Sequence, residues 1–105
     1  MGPRGASLLE RLITHLIERN ACQEVHLCLF EKDQEPGSGC HHTRLPADLL
    51  TTTVAGQVTM YFGQELEDYG PVHAGPSLYN WHQREQNPNV SATDYLPRRE
   101  LGRYL

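Results

Sequence analysis

The opening of this chain constrains its fold more than any other feature. Gly2, Pro3, Arg4 and Gly5 make a turn that runs at once into an amphipathic helix, with only Met1 ahead of it. From Ala6 to about Arg19, Leu8, Leu9, Leu12, Ile13, Leu16 and Ile17 recur at helical spacing, while Glu10, Arg11, Thr14, Glu18 and Arg19 occupy the other side. Asn20 is placed to end that helix. A glycine turn ahead of such a helix ordinarily joins it to a buried strand, so the pattern raises the question of where that strand lies.

Downstream, residues 24–30, "EVHLCLF", read as a short strand with Val25, Leu27 and Leu29 on one face, and a run this apolar points to a sheet covered on both sides. Pro36, Gly37, Gly39 and Pro46 then impose an irregular loop over "EKDQEPGSGCHHTRLP". Residues 47–62 are expected to begin as a helical turn and finish as a β-branched strand, with Gly56 as a break. Gly-Pro turns precede a short helix at Ser77, Leu78, Tyr79 and Trp81, a turn falls at Asn87-Pro88, and a last helix begins near Arg98 after Pro97. No internal repeat or low-complexity tract interrupts this order.

Size and charge exclude several functions. A compact domain of 105 residues hides only about two-thirds of its unfolded surface, which leaves no room for a second lobe. A net charge of −4 gives no basic field for nucleic acid or an anionic membrane, and the cluster Arg98, Arg99 and Arg103 is short. No apolar run approaches the ~20 residues that span a bilayer, and a signal-peptide pattern is lacking, so a cytoplasmic location is expected. Cys22, Cys28 and Cys40 are odd in number and lack C-x-x-C spacing, which favours reduced thiols over a disulfide framework.

The chemistry of the opening turn is that of a dinucleotide phosphate site. Glycines there allow a tight bend, close approach of backbone N–H groups to a pyrophosphate, and close packing of helix on strand. Gly2 and Gly5 suit the latter two tasks, and the following helix presents its positive dipole end. "VHLCLFE" ends in Glu31, at the distance where an acid takes the ribose hydroxyls. On the residues alone, a flexible start with a solvated Glu31 remains the alternative.

The runs "GPRGASLLERL", "VHLCLFEKDQEPGSG", "LLTTTVAGQVTMY", "GPSLYNW" and "YLPRRELGRYL" resemble, in order and across essentially the whole chain, the N-terminal part of the FAD-NAD(P)-binding proteins. These are large bacterial flavoproteins related to the flavin-dependent N-hydroxylating monooxygenases. The resemblance aligns Gly2, Pro3, Arg4 and Gly5 with the last four positions of the family turn G-x-G-P-R-G, with Met1 at its variable position. It makes Glu31 the acceptor of the adenosine ribose and Gly37 and Gly39 the family's glycine-rich stretch, from which Cys40, His41 and His42 depart. Thr53 and Gln57 fall in the family stretch L-L-M-N-T-V-A-x-Q-V-T, where Thr51 and Thr52 replace the common Met and Asn.

The fold the resemblance implies is α/β: residues 1–105 as one partial, Rossmann-type FAD-binding domain without its first strand and C-terminal parts. FAD is the implied cofactor, with NAD(P)H bound by parts of the family protein outside this chain. The function implied is that of an N-terminal fragment, or partner-requiring subunit, of an FAD- and NAD(P)H-dependent oxidoreductase or monooxygenase. A second chain completing the flavin domain, or self-association, would cover the apolar faces of Leu9, Ile13 and Val25. A small non-enzymatic interaction protein, or an inactive gene remnant derived from such a flavoprotein, is the alternative.

Cys40, His41 and His42, with His26, His73 and His82, are metal-ligand types. Adjacent histidines in a glycine-rich loop point apart, so no metal site is expected, and Cys40 beside His41 does not define a nucleophile and its base. Tyr61, Phe62, Tyr69, Tyr79 and Trp81 read as core and rim rather than as a wall facing a flavin.

Overall fold

A computed structural model describes residues 1–32 and 35–105. Asp33 and Gln34 of the glycine-rich loop lie outside the described residues. The first helix, α1, spans Pro3–Glu18; Gly2 is its extended N-cap, and Pro3 sits at the first helical position, where its missing N–H costs nothing. Asn20 stops the helix as expected. It takes a left-handed φ of 53°, the Asn20 N–H reaches the Ile17 carbonyl at 3.0 Å, and the Ala21 N–H reaches that of Leu16 at 2.9 Å. This paired closure satisfies carbonyls that the helix leaves open.

No residue of α1 is buried. Leu8 is 70% exposed and Ile17 60%, so the stripe that makes the helix amphipathic is largely uncovered within this chain. A short 3-10 turn, Cys22–Glu24, follows. The expected strand over residues 24–30 does not form: Val25 is extended, but no ladder reaches the segment among the described residues. A strand is defined by hydrogen bonds to a neighbour, and here Val25, Leu27, Leu29 and Phe30 are all exposed instead.

The second half has a core. Ala55, Leu78, Val90 and Leu96 are buried together, with Val58, Tyr79, Trp81, Leu101 and Tyr104 packed around them. Residues 49–56 run antiparallel to residues 92–98. The Arg98 N–H donates to Leu49, Thr51 to Leu96, Ala55 to Asp94 and Gly56 to Ala92, all at 2.8–2.9 Å. Among the described residues only Leu50 and Pro97 form a β-bridge, so the strand expected within residues 47–62 is replaced by irregular chain and a 3-10 turn, Ala55–Gln57. Gly56 is the close approach: a Cβ there would lie 3.0 Å from both Ala92 Cβ and the Ala92 carbonyl oxygen.

Helix α2, Leu78–Glu85, starts where the sequence places it, with the Ser77 hydroxyl accepting from the Asn80 N–H at 3.2 Å. Helix α3, Arg98–Tyr104, follows Pro97. Tyr104 ties them to the preceding loop. Its hydroxyl donates to the Pro76 carbonyl at 2.7 Å and accepts from the Met60 N–H at 2.9 Å, and its ring lies 5.9 Å from Trp81. Burial holds the Tyr104 phenol above its ordinary pKa. Between α2 and α3, Glu100 is buried with His82 at 3.9 Å, and Arg103 holds the same carboxylate at 2.9 Å.

The strands of the expected α/β fold do not form among the described residues, which make helices and irregular segments joined by an isolated bridge. The aromatic residues divide in two. Tyr79 and Trp81 pack on the core, whereas Phe62 and Tyr69 are exposed.

Candidate functional site

The start of α1 is bare of side-chain capping. Gly2 has no side chain to accept the first N–H groups, and the first turn carries no acid. Those amides keep their positive field, which makes a helix start suited to an anion. Residues 36–39 fold directly over this end. Gly37 and Gly39 take left-handed φ values of 91° and 55°, a conformation costly for any residue with a Cβ. A Cβ at Gly39 would lie 3.0 Å from Gly2 Cα and 3.2 Å from Pro3 Cδ. At Gly37 it would lie 3.2 Å from the Leu105 carbonyl oxygen and 3.6 Å from Ala6 Cβ. Gly5 meets only the flexible Met1 side chain, and Arg4 is exposed.

Glu31 lies at the same end. Its carboxylate accepts from the Met1 α-ammonium, and its other oxygen accepts from the Lys32 N–H at 2.7 Å. The sequence-expected residues Gly2, Pro3, Glu31, Gly37 and Gly39 are thus brought together around the start of α1. The loop that delivers the glycines is fastened by Glu35, whose carboxylate accepts from both the Thr43 hydroxyl and the Thr43 N–H at 2.6 Å. Those two bonds, the hydroxyl's first, hold the Glu35 carboxyl below its ordinary range. The buried Ser38 hydroxyl donates to the Glu35 carbonyl at 2.8 Å. No sequence signal marks the Glu35 and Thr43 pair, which is a contact made by the shape of the loop.

Thr53 and Gln57 are not part of that cluster. Gln57 is exposed on the 3-10 turn. Thr53 lines a cleft of about 200 Å³ with His41, Thr51, Thr52, Val58, Arg98 and Leu101. Gly102 lets the loop carrying His41 reach α3, a role the sequence did not signal: a Cβ at 102 would overlap the His41 carbonyl oxygen. Only a glycine in α3 lets the loop carrying His41 lie against the helix. Burial, and then the charge of Arg98, hold the His41 imidazole below its ordinary pKa.

A second cavity, of about 440 Å³, opens between α1 and the 3-10 helix Gln64–Tyr69, lined by Arg11, His15, Phe62, Leu66, Tyr69 and Gly70. Arg11 is already committed there, with its guanidinium 4.9 Å from the Phe62 ring centroid and bonded to Glu10 and to the Pro71 carbonyl. The hydrogen bond from Arg11 holds the Glu10 carboxyl below its ordinary pKa. Among the described residues no group of His, Cys, Asp and Glu is placed to hold a metal ion, and no helix is long and apolar enough to cross a membrane. Cys22, Cys28 and Cys40 are free and exposed.

Gly2 at an uncapped helix start, with Gly37 and Gly39 folded over it and Glu31 alongside, leaves the first amides of α1 without a side-chain acceptor, an arrangement suited to an anion. The family model described as FAD-NAD(P)-binding matches residues 1–105, and the chain belongs to that family. It is 36% identical over 109 aligned residues to a nitrosuccinic acid synthase of Aspergillus oryzae, covering 100% of this chain and 16% of the relative. It is also similar to two nitrosuccinate-forming L-aspartate N-monooxygenases. That of Streptomyces cremeus is 42% identical over 82 residues and that of Streptomyces davaonensis 38% over 82 residues. Each of these alignments covers 76% of this chain and 12% of the relative. The chain thus spans between 12% and 16% of the length of these relatives.

Proposed function

We propose that residues 1–105 serve as the phosphate-holding part of the FAD domain in an FAD- and NAD(P)H-dependent N-monooxygenase acting on L-aspartate or a close amino dicarboxylate. The observation that carries this reading is the convergence of Gly2, Gly37 and Gly39 on the uncapped start of α1. In this role the N–H groups of the first turn hold the pyrophosphate, Arg4 adds a nearby positive charge, and Glu31 accepts from the ribose hydroxyls. When bound, the flavin supplies the redox chemistry with oxygen, and NAD(P)H supplies the electrons; the protein orients them. The substrate class is taken from the names of the relatives.

The same reading gives the apolar face a purpose. Leu8 and Ile17 of α1, with Leu29 and Phe30 of the extended segment, are covered by the remainder of the flavin domain, in the same polypeptide or in a partner chain. The extended segment then gains the strand neighbours it lacks here. The contrasting reading, a small interaction protein without enzymatic activity, draws on the same exposed face and predicts a stable partner with no flavin.

Titration of the chain with FAD, alone and together with the remainder of a family flavin domain, separates the two. The flavoprotein reading predicts saturable quenching of flavin fluorescence in the complemented sample, weakened about tenfold or more in Gly39→Val, since the added side chain pushes the loop off the helix start. Absence of FAD binding in the complemented sample overturns the flavoprotein reading.

A further inference from the structure

We infer that the cleft between residues 51–53 and α3 is a binding site for the oxyanion group of a small molecule, a carboxylate or a phosphate, held by Arg98, His41 and the hydroxyls of Thr52 and Thr53. This site goes beyond the dinucleotide reading, because it draws on none of the residues at the start of α1.

The geometry of Arg98 is the first support. Its backbone N–H donates to the Leu49 carbonyl at 2.8 Å and its Nε to the Leu50 carbonyl at 3.1 Å. The side chain is thereby aimed along the cleft, with its terminal nitrogens left as donors. On the same helix, Arg99 and Arg103 both pair with Glu100, whereas Arg98 forms no ion pair among the described residues. A guanidinium with no carboxylate partner among the described residues suits an incoming oxyanion, because its paired donors match the two oxygens.

His41 is the second support. Its Nδ1 is buried without a hydrogen-bond partner, an expensive state that a ligand oxygen would relieve. Burial, and then the Arg98 charge, hold its pKa below the ordinary value. A bound anion would reverse part of that depression. The Thr51 hydroxyl is spent on the Thr53 carbonyl at 2.9 Å, which leaves the hydroxyls of Thr52 and Thr53 to donate. Val58 and Leu101 supply apolar wall, and charge-assisted bonds gain strength where water is thinned. A volume of about 200 Å³ admits a small acid or a phosphate, not a nucleotide.

The test is a titration of the 105-residue chain with sodium succinate and, separately, sodium phosphate, followed by the ring resonances of its histidines in NMR spectra at constant ionic strength. Sodium chloride serves as the reference. The site predicts a saturable shift of His41 and a rise in its pKa on binding, with exposed His73 unmoved. Arg98→Gln is expected to weaken binding about tenfold or more, the usual loss with a charge-assisted bond. Thr52→Val, at an exposed position, is expected to weaken it several-fold and keeps the test decisive if R98Q also disturbs the Leu50 contact. Response to succinate alone identifies a carboxylate site, and response to phosphate alone a phosphoryl site. A His41 shift that fails to saturate, that chloride reproduces, or that is unchanged in both variants overturns the inference. Because no flavin is present, failure here is distinguishable from failure of the FAD reading.

Discussion

The first and second halves of this chain solve the same problem differently. Residues 49–105 bury Leu78 completely, surround it with Ala55, Val90 and Leu96, and close polar groups on one another through Tyr104 and Glu100. Residues 1–32 carry a more regular apolar pattern, yet α1 buries nothing and Phe30 is 88% exposed. Pattern strength and burial are therefore separate properties. Amphipathicity states which face wants cover, while burial depends on whether the cover is present. The halves meet through Arg11, which bonds the Pro71 carbonyl and lies over Phe62, and through the loop between them, whose close approaches glycines permit: Gly39 on Gly2, Gly37 on Leu105 and Gly102 on His41.

The largest expected effect lies in the second half. Leu78→Ala removes the fully buried side chain and should lower unfolding free energy by about 2–5 kcal/mol, measured by denaturant melts followed through Trp81. A loss within the range of a surface change would mean that the second half is not the stable unit. Next comes the junction. Gly102→Ala drives a methyl into the His41 carbonyl and should cost about 1–3 kcal/mol, although alanine is the better helix former by about 1 kcal/mol. Hydrogen exchange over residues 35–43 should accelerate in that variant, and stabilisation instead would show that the loop does not pack on α3.

Acid sensitivity sharpens the same contrast. His41 has a depressed pKa in the folded chain, so the unfolded state takes up its proton first as pH falls below about 6.5. Its contribution to stability is present above that pH and declines through the window down to the folded value. The carboxyls of Glu10 and Glu35 are also depressed. Their contributions are present above the ordinary carboxyl range and are lost as pH falls through the lower folded values. Stability against pH should therefore fall in two stages, and His41→Gln should flatten the upper one while leaving the lower. A His41→Gln profile parallel to that of the parent would remove His41 from the account. At the alkaline end, Tyr104 resists ionisation when folded; stability should fall as pH rises past about 10, and less so in Tyr104→Phe.

The smallest effect belongs to the exposed stripe. Leu8→Ala and Ile17→Ala should change the stability of the chain alone by no more than about 0.5 kcal/mol, yet weaken its association with the remainder of a family flavin domain. Large losses in the isolated chain would mean that these side chains are buried in solution.

Local signals were legible in the sequence and non-local ones were not. The α1 stripe, its stop at Asn20, the Ser77 cap and the start of α3 at Arg98 are each written within a few residues. Gly2 and Glu31 could be grouped because a known turn places a glycine and an acid at set distances, whereas Gly37 and Gly39 joined them only through the family resemblance. The expected strand over residues 24–30 fails for a physical reason: extended backbone becomes a strand only beside another, and no neighbour lies among the described residues. The β-branched run from Thr51 instead follows residues 92–98, a partner that no local pattern names. Thr53 joined a cleft with Arg98 instead of the helix start. Gly102 carries no local signal in the sequence; its reason is the His41 carbonyl packed against it in the fold.

The most direct measurement is amide hydrogen exchange by mass spectrometry on the chain alone and with the remainder of a family flavin domain plus FAD. The account predicts that residues 25–31 exchange freely in the chain alone, where no ladder protects them, while residues 49–58 and 92–104 are already slow. On complementation, residues 3–18 and 25–31 should gain protection and the second half should barely change. Slow exchange at residues 25–31 in the isolated chain, or no gain there on complementation, would contradict it.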